Sequence, residues 1–297
     1  MAWQQMAVVT DADDADRLSD WFSERGAVSV TFEDAADQPL YEPKPGETPV
    51  WQATRVVALF EADFDTAAIK AELQALLGPG YARRVSEEQV EDRAWERAWM
   101  DHFKPMRFGR RLWICPSTLE LPEEAVGGVC VDLDPGLAFG TGTHATTALC
   151  LEWLDGEALS GKTVLDFGCG SGVLAVAALL LGAESAIGVD IDPQALLASR
   201  DNAAKNGVES RLTCFYPEQL PADFRADVVL ANILANPLVE LAPTLAAHCK
   251  PGGSIVLSGL LAEQAEQVSE AYRALFRLDP VEIKDGWARV SGIKLTL

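Results

Sequence analysis

Three short stretches carry the residue types that could do chemistry: GLAFGTGTHATT at 136–147, GEALSGKT at 156–163 and DFGCGSG at 166–172. Each is rich enough in glycine to bring backbone close to a ligand. The second fits the phosphate-loop pattern G-x-x-x-x-G-K-[ST] letter for letter. That mechanism needs a strand before the loop and a helix after it, whose free N–H groups meet the phosphates. Here the order is reversed, with the helical ATTALCLEWL before the stretch and the strand-like TVLDFG after it. It reads as a helix-to-strand turn.

The third stretch has the right context. The apolar strand TVLDFG runs into Gly168, Gly170 and Gly172, and an apolar helix follows. A second strand, AIGVD, ends in Asp190, 22 residues beyond Gly168. A carboxylate at that place can accept hydrogen bonds from both hydroxyls of a ribose. Asp192 and Pro193 read as a helix N-cap and first-turn residue. The glycine pattern is G-x-G-x-G, with Val173 where a dinucleotide fingerprint wants glycine. This describes an adenosine site without a pyrophosphate grip, which S-adenosylmethionine fits better than NAD. Cys169 lies in the loop, with no candidate base near it in sequence, so it does not read as a nucleophile. A later strand, ADVVLAN, places Asn232 at its carboxyl end. Its amide offers one acceptor and two donors, suited to holding an amine with its lone pair aimed at a methyl group.

These residues need a doubly wound α/β sheet to bring them together. From about residue 143 strands and helices alternate, through TVLDFG, SGVLAVAALLLG, SAIGVDI, DPQALLASRDNAAKNG, ESRLTCFY, ADVVLANI and SIVLSG. Helices are expected near Pro237–His248 and Ala262–Leu275, then two strands joined by KDGW, an Asp-Gly hairpin signal. The first ninety residues read as a separate ferredoxin-like β-α-β-β-α-β unit. Its strands are expected near Ala7–Thr10, across Val28, Val30 and Phe32, in RVVALFEA and in YARRVSEEQV. Its first helix buries Ala15, Leu18 and Phe22 and stops at Gly26, and its second carries Ala68, Ile69, Leu73 and Leu76 on one stripe. The expected organisation is a recognition domain at 1–90, a linker helix at 91–106 with Trp95, Trp99 and Phe103 on one stripe, and a catalytic domain at 107–297. Lys104, Arg107, Arg110 and Arg111 form a local basic cluster next to the linker.

Composition narrows the function classes. The chain has 297 residues, is 48% hydrophobic and carries a formal charge of −21. So acidic a chain is unsuited to non-specific nucleic-acid binding; the charge is either the solubility habit of an acidic proteome or suited to a basic protein partner. Six cysteines without CxxC pairs and three histidines without ligand spacing argue for reduced core thiols and no metal site. No apolar run is long enough to span a membrane, and the first residues lack a secretory pattern, so a cytoplasmic monomer is expected.

Taken together, LDPGLAFGTGTHATT, VLDFGCGSG, IGVDIDPQA, DNAAKNGV and VLANILANPL resemble the ribosomal protein L-eleven methyltransferase (PrmA) family. DFGCGSG and GVDID alone would indicate only a class I methyltransferase; AFGTGTH followed by ANILA is far more specific. The resemblance implies a Rossmann-like class I methyltransferase sheet and S-adenosylmethionine as cofactor. It implies methylation of lysine side chains and the α-amino group of the large-subunit ribosomal protein. It assigns cofactor binding to Thr147, Gly168, Gly170, Asp190 and Asn232, with Phe139 and Thr143 as neighbours and Asn232 also catalytic. In this family the GTGTH segment covers the methionine end of the cofactor, so it is not a phosphate loop. His144 is a conceivable proton acceptor or a packed loop histidine. Two alternatives stay open: a methyltransferase for another amine, and a non-catalytic S-adenosylmethionine-binding module.

Overall fold

The computed structural model describes residues 2–36, 51–77, 84–91, 104–116, 119, 122–133 and 144–296. The chain divides into two compact units, Met1–Trp99 and Met100–Leu297.

The first unit holds β1 (Ala2–Asp11), α1 (Ala12–Ser23), β2 (Ser29–Asp34), β3 (Ala53–Glu61), α2 (Ala67–Leu77) and β4 (Val85–Glu91). The sheet order is β2-β3-β1-β4 with every pair antiparallel, the ferredoxin-like arrangement. Asp11 caps α1 by accepting the Asp14 N–H, and Gly26, at φ +92°, provides the left-handed exit after it. Met6, Val8, Val56, Ala58 and Phe60 alternate along β1 and β3 toward the helices, where Ala15, Leu18, Phe22, Ile69 and Leu73 meet them. Three expectations need correction: on the expected stripe of α2 only Ile69 and Leu73 are buried while Ala68 and Leu76 are exposed, and Val28 precedes the strand and is also exposed. The body of the expected linker helix, including Trp95, Trp99 and Phe103, lies outside the described residues. Its two ends are strand: Glu91 closes β4 and Met106 opens β5 (Met106–Phe108).

The second unit begins with a small sheet; a strand after a break at Pro105 is expected from the sequence, and a paired three-stranded sheet is found there. β5, β6 (Leu112–Cys115) and β7 (Val129–Asp132) pair antiparallel and then parallel. The β5–β6 turn is tied to α3 (Ala145–Gly156): the buried Asp155 carboxylate accepts the Arg110 N–H at 2.5 Å, and Gly109 leaves no room for a side chain beside it. Of the basic cluster, Arg111 pairs with Asp155 and Arg107 lies over the Trp113 ring.

The main sheet has the order β10-β9-β8-β11-β12-β15-β13, with β14 paired to β15. Its strands are β8 (Thr163–Phe167), β9 (Ser185–Val189), β10 (Leu212–Phe215), β11 (Ala226–Asn232), β12 (Cys249–Leu261), β13 (Phe276–Leu278), β14 (Glu282–Lys284) and β15 (Trp287–Lys294). From β10 to β12 all pairs are parallel, and β12-β15-β13 are antiparallel. The helices between them are α4 (Val173–Leu180), α5 (Pro193–Lys205), α6 (Ala235–Glu240), α7 (Ala242–Ala247) and α8 (Ala265–Arg273). One core packs α3 and α4 on one sheet face, and a second packs α6, α7 and α8 on the other. Strands covered on both faces must be apolar along their whole length, as Val164, Leu165, Val228, Val229, Leu230 and Ala231 are. Asp285 and Gly286, at φ 50° and 80°, form the expected hairpin turn. The expected helical stretch at Pro237–His248 is divided at Leu241, ahead of Pro243. β13 is an unanticipated edge strand.

Candidate active site

Chain order reverses direction at β8: β9 and β10 build out on one side of it, β11 and β12 on the other. In such a sheet the ligand crevice opens at the carboxyl ends beside this switch point. Gly168, at φ +76°, turns the chain there while its N–H and that of Cys169 donate to Val189 O. A Cβ on Gly168 would collide with Ile233, so glycine is required for both conformation and space. Gly170, at φ +53°, donates its N–H to Asp190 Oδ2 at 2.9 Å. Asp190 Oδ1 accepts the Asp192 N–H at 3.0 Å, and Asp192 caps α5 as expected. Each Asp190 oxygen keeps acceptor capacity for a further donor. Ile191, beside it, is 82% exposed and offers an apolar surface at the same edge.

Asn232 ends β11. Its Nδ2 donates to Thr147 Oγ1 at 3.3 Å, while its buried Oδ1 has no partner. Thr147, on the first turn of α3, is itself buried. Thus α3 fixes the amide so that its carbonyl is the end left for a ligand. Thr147, Asp166, Gly168, Gly170 and Asn232 line a single small cavity.

Asp166 is the residue that sequence reasoning missed. It lies within β8, 1% exposed; Oδ2 accepts the Ala175 N–H at 3.1 Å and Oδ1 has no partner. Burial pushes its carboxyl up to about 7, reinforced by the nearby Asp190 charge and opposed by the Ala175 hydrogen bond. The one available signal was an acidic residue inside an otherwise apolar strand. An orphaned buried carboxylate and an orphaned buried carbonyl facing one cavity suit a ligand carrying positive charge and N–H donors.

His144 sits at the N-cap of α3. Its Nδ1 accepts the Thr146 N–H and lies 2.8 Å from Thr146 Oγ1, and burial lowers its pKa. With Nδ1 accepting, the neutral ring carries its proton on Nε2. The ring also packs edge-on against Trp287, with centroids 4.5 Å apart. This histidine caps α3 and packs on Trp287. Phe139 and Thr143 lie outside the described residues.

The family profile of ribosomal protein L11 methyltransferase (PrmA) matches residues 2–294. The chain belongs to that family. It is 57% identical over 295 residues to the ribosomal protein L11 methyltransferase of Edwardsiella ictaluri, covering 99% of each chain. Its identity to the Vibrio cholerae protein of the same name is 57% over 298 residues, with 99% of this chain and 100% of that one covered. Among solved structures, a ribosomal protein L11 methylase from Lactobacillus delbrueckii subsp. bulgaricus is 31% identical with a TM-score of 0.60. That likeness covers 65% of this chain and 100% of the other.

PrmA membership makes the chain an S-adenosylmethionine-dependent methyltransferase with the Rossmann-like class I fold and an additional β-rich N-terminal unit. The non-catalytic alternative is thereby set aside. The site fits the cofactor: Asp190 and the Gly170 backbone suit a ribosyl group, and the orphaned Asp166 suits a cation. No helix among the described residues is long and apolar enough to cross a membrane.

Proposed function

We propose that this PrmA protein transfers methyl groups to lysine side chains and the α-amino group of ribosomal protein L11, with Asn232 at the centre of the site. The observation that carries the reading is the Asn232 carbonyl. It is buried, unpartnered and oriented by Thr147 at the end of the strand beside the glycine loop. Bound S-adenosylmethionine supplies an electrophilic sulfonium methyl. Asn232 Oδ1 then accepts an N–H from the incoming amine, which turns the nitrogen lone pair toward that methyl. Gly168 and Gly170 allow close backbone approach, Asp190 accepts ribose hydroxyls, and Asp166 provides the negative charge that a cationic cofactor requires. Thr147 holds the Asn232 amide.

A lysine amine has a pKa of about 10.4 and must lose its proton to become a nucleophile. Burial beside a cationic group favours the neutral amine. His144 is not placed as the base in this reading, since Nδ1 is engaged as the helix cap. Rate then comes mainly from alignment of the amine with the methyl.

The N-terminal unit takes the recognition role in this proposal. Residues 1–99 contain twenty Asp and Glu against nine Lys and Arg, a net charge of −11, which suits a basic protein. The test is direct. Purified protein, S-adenosylmethionine and unmethylated L11 are mixed and the L11 mass is followed. Successive methyl increments, mapped to lysines and the N-terminus, are expected. No increment on L11, with measurable cofactor binding, would transfer the activity to another amine.

A further inference from the structure

The stretch DNAAKNGV, residues 201–208, ends α5 and runs through its C-cap at Asn206. Ser199, Asn202 and Asn206 stand three and then four residues apart, which aligns them along a helix. Ser199 is fully buried, and its hydroxyl donates to Gly170 O at 3.0 Å. Asn202 Nδ2 donates to Ser171 O at 2.8 Å. Asn206 bonds both ways with the Asp132 backbone, accepting its N–H and donating to its carbonyl, each at 2.8 Å. Asn206 also donates to Asn202 O at 2.8 Å, which joins the second and third contacts.

We propose that Ser199 and Asn202 are positioning residues for cofactor binding, holding the glycine loop in its binding shape while Asn206 fixes their helix to β7. The proposal rests on the reading of this loop as the cofactor loop. The physical reason is entropic. Gly168, Gly170 and Gly172 all sit at positive φ, and such a loop has more conformational freedom to lose than any other of its length. Asp190 holds the Gly170 N–H from one side, and Ser199 holds the carbonyl of the same residue from the other. Gly172 packs so closely on Ser199 that a Cβ there would lie 2.7 Å from the hydroxyl. The ordering cost is therefore met during folding rather than at binding, which raises affinity without any contact to the ligand.

The test titrates S-adenosylhomocysteine into the full-length protein, its Asn202→Leu variant and its Ser199→Ala variant by calorimetry. Steady-state methylation is measured in parallel. Loss of one such anchor is expected to weaken binding about tenfold, the scale of a single hydrogen bond. KM for S-adenosylmethionine should rise by the same factor while kcat at saturating cofactor stays unchanged. Ser199→Ala only removes an oxygen and keeps the helix, so it reports even if Asn202→Leu folds poorly. Affinities of both variants within twofold of the parent, whatever their melting temperatures, would overturn the proposal. So would a fall in kcat with KM unchanged. Failure of the parent protein to bind would instead overturn the cofactor reading beneath it.

Discussion

The two units are both α/β, but only one collects polar groups into a site. In the N-terminal sheet every neighbour is antiparallel, so strand ends of opposite sense alternate along each edge. In the larger sheet β8, β9, β10, β11 and β12 run parallel, and their carboxyl ends share one edge. The Gly168 turn, Asp190 and Asn232 meet there although they are far apart in sequence. The buried polar side-chain atoms without a hydrogen-bond partner, among the described residues, belong to Asp155, whose oxygen is ion-paired with Arg111, and to Asp166, Asn232 and Arg289, all in the second unit. Of these, Asp166 and Asn232, on the adjacent parallel strands β8 and β11, line one cavity where a ligand can satisfy them. Among the described residues, the buried polar side chains of the antiparallel unit, Thr10, Thr54 and Thr66, have hydrogen-bond partners, and its charges lie on the surface.

This contrast can be broken experimentally. The largest effect should follow deletion of residues 1–90: methylation of L11 is lost, while S-adenosylhomocysteine still binds the remainder. Methylation that persists at the parent rate would remove the recognition role from the N-terminal unit. Within the second unit, Asn232→Ala should lower kcat roughly 10²–10³-fold, the range seen when a single transition-state contact is removed. Cofactor affinity should change by only a few-fold, so a loss confined to affinity in a binding assay would reassign Asn232. Asp190→Ala should weaken the cofactor by about 10²-fold, since hydrogen bonds to a charged group contribute about 1.5–3 kcal/mol each.

A smaller and sharper effect concerns pH. The Asp166 carboxyl is raised from 3.8 to about 7, so the folded protein holds a proton there that the unfolded chain has released. Stability from this group is therefore full at low pH and declines as pH rises from about 4 to about 7. A cationic cofactor favours the ionised form, so its affinity should rise up to about tenfold per pH unit below 7 and level off above. In Asp166→Asn that slope should vanish, and the ligand-free variant should gain melting temperature over the parent at pH 8 relative to pH 5. A parent titration that is flat with pH would show that Asp166 does not meet the cofactor's charge.

The parts legible in the sequence were those with a local physical signature. The Gly168–Gly170–Gly172 turn sat between an apolar strand and an apolar helix, and a carboxylate followed at the end of the next strand. The Asp-Gly hairpin, the cap at Asp192, and the rejection of 156–163 as a phosphate loop all rested on neighbours within a few residues. The elements missed were those without such a signature. β7 and β13 have four and three residues, too few to show a period, and the strand expected after Pro105 is in fact a pair, β5 and β6. Ala68 and Leu76 fitted the helical stripe, yet at the two ends of α2 they are exposed, since a period shows which face is apolar and not how far the core reaches along it.

Sequence by itself determined the kind of site: a glycine turn and a ribose acid on a doubly wound sheet, because backbone conformation and strand burial are dictated locally. Tertiary structure decided how the remaining side chains are used. Only packing of α3 against β11 turns the Asn232 carbonyl free. Only burial within the sheet leaves Asp166 half-satisfied and its carboxyl raised to about 7. Only the placement of α5 beside the loop gives Ser199 and Asn202 their partners. Desolvation and hydrogen-bond partnership are properties of neighbours distant in the chain, and those neighbours exist only once the fold has formed.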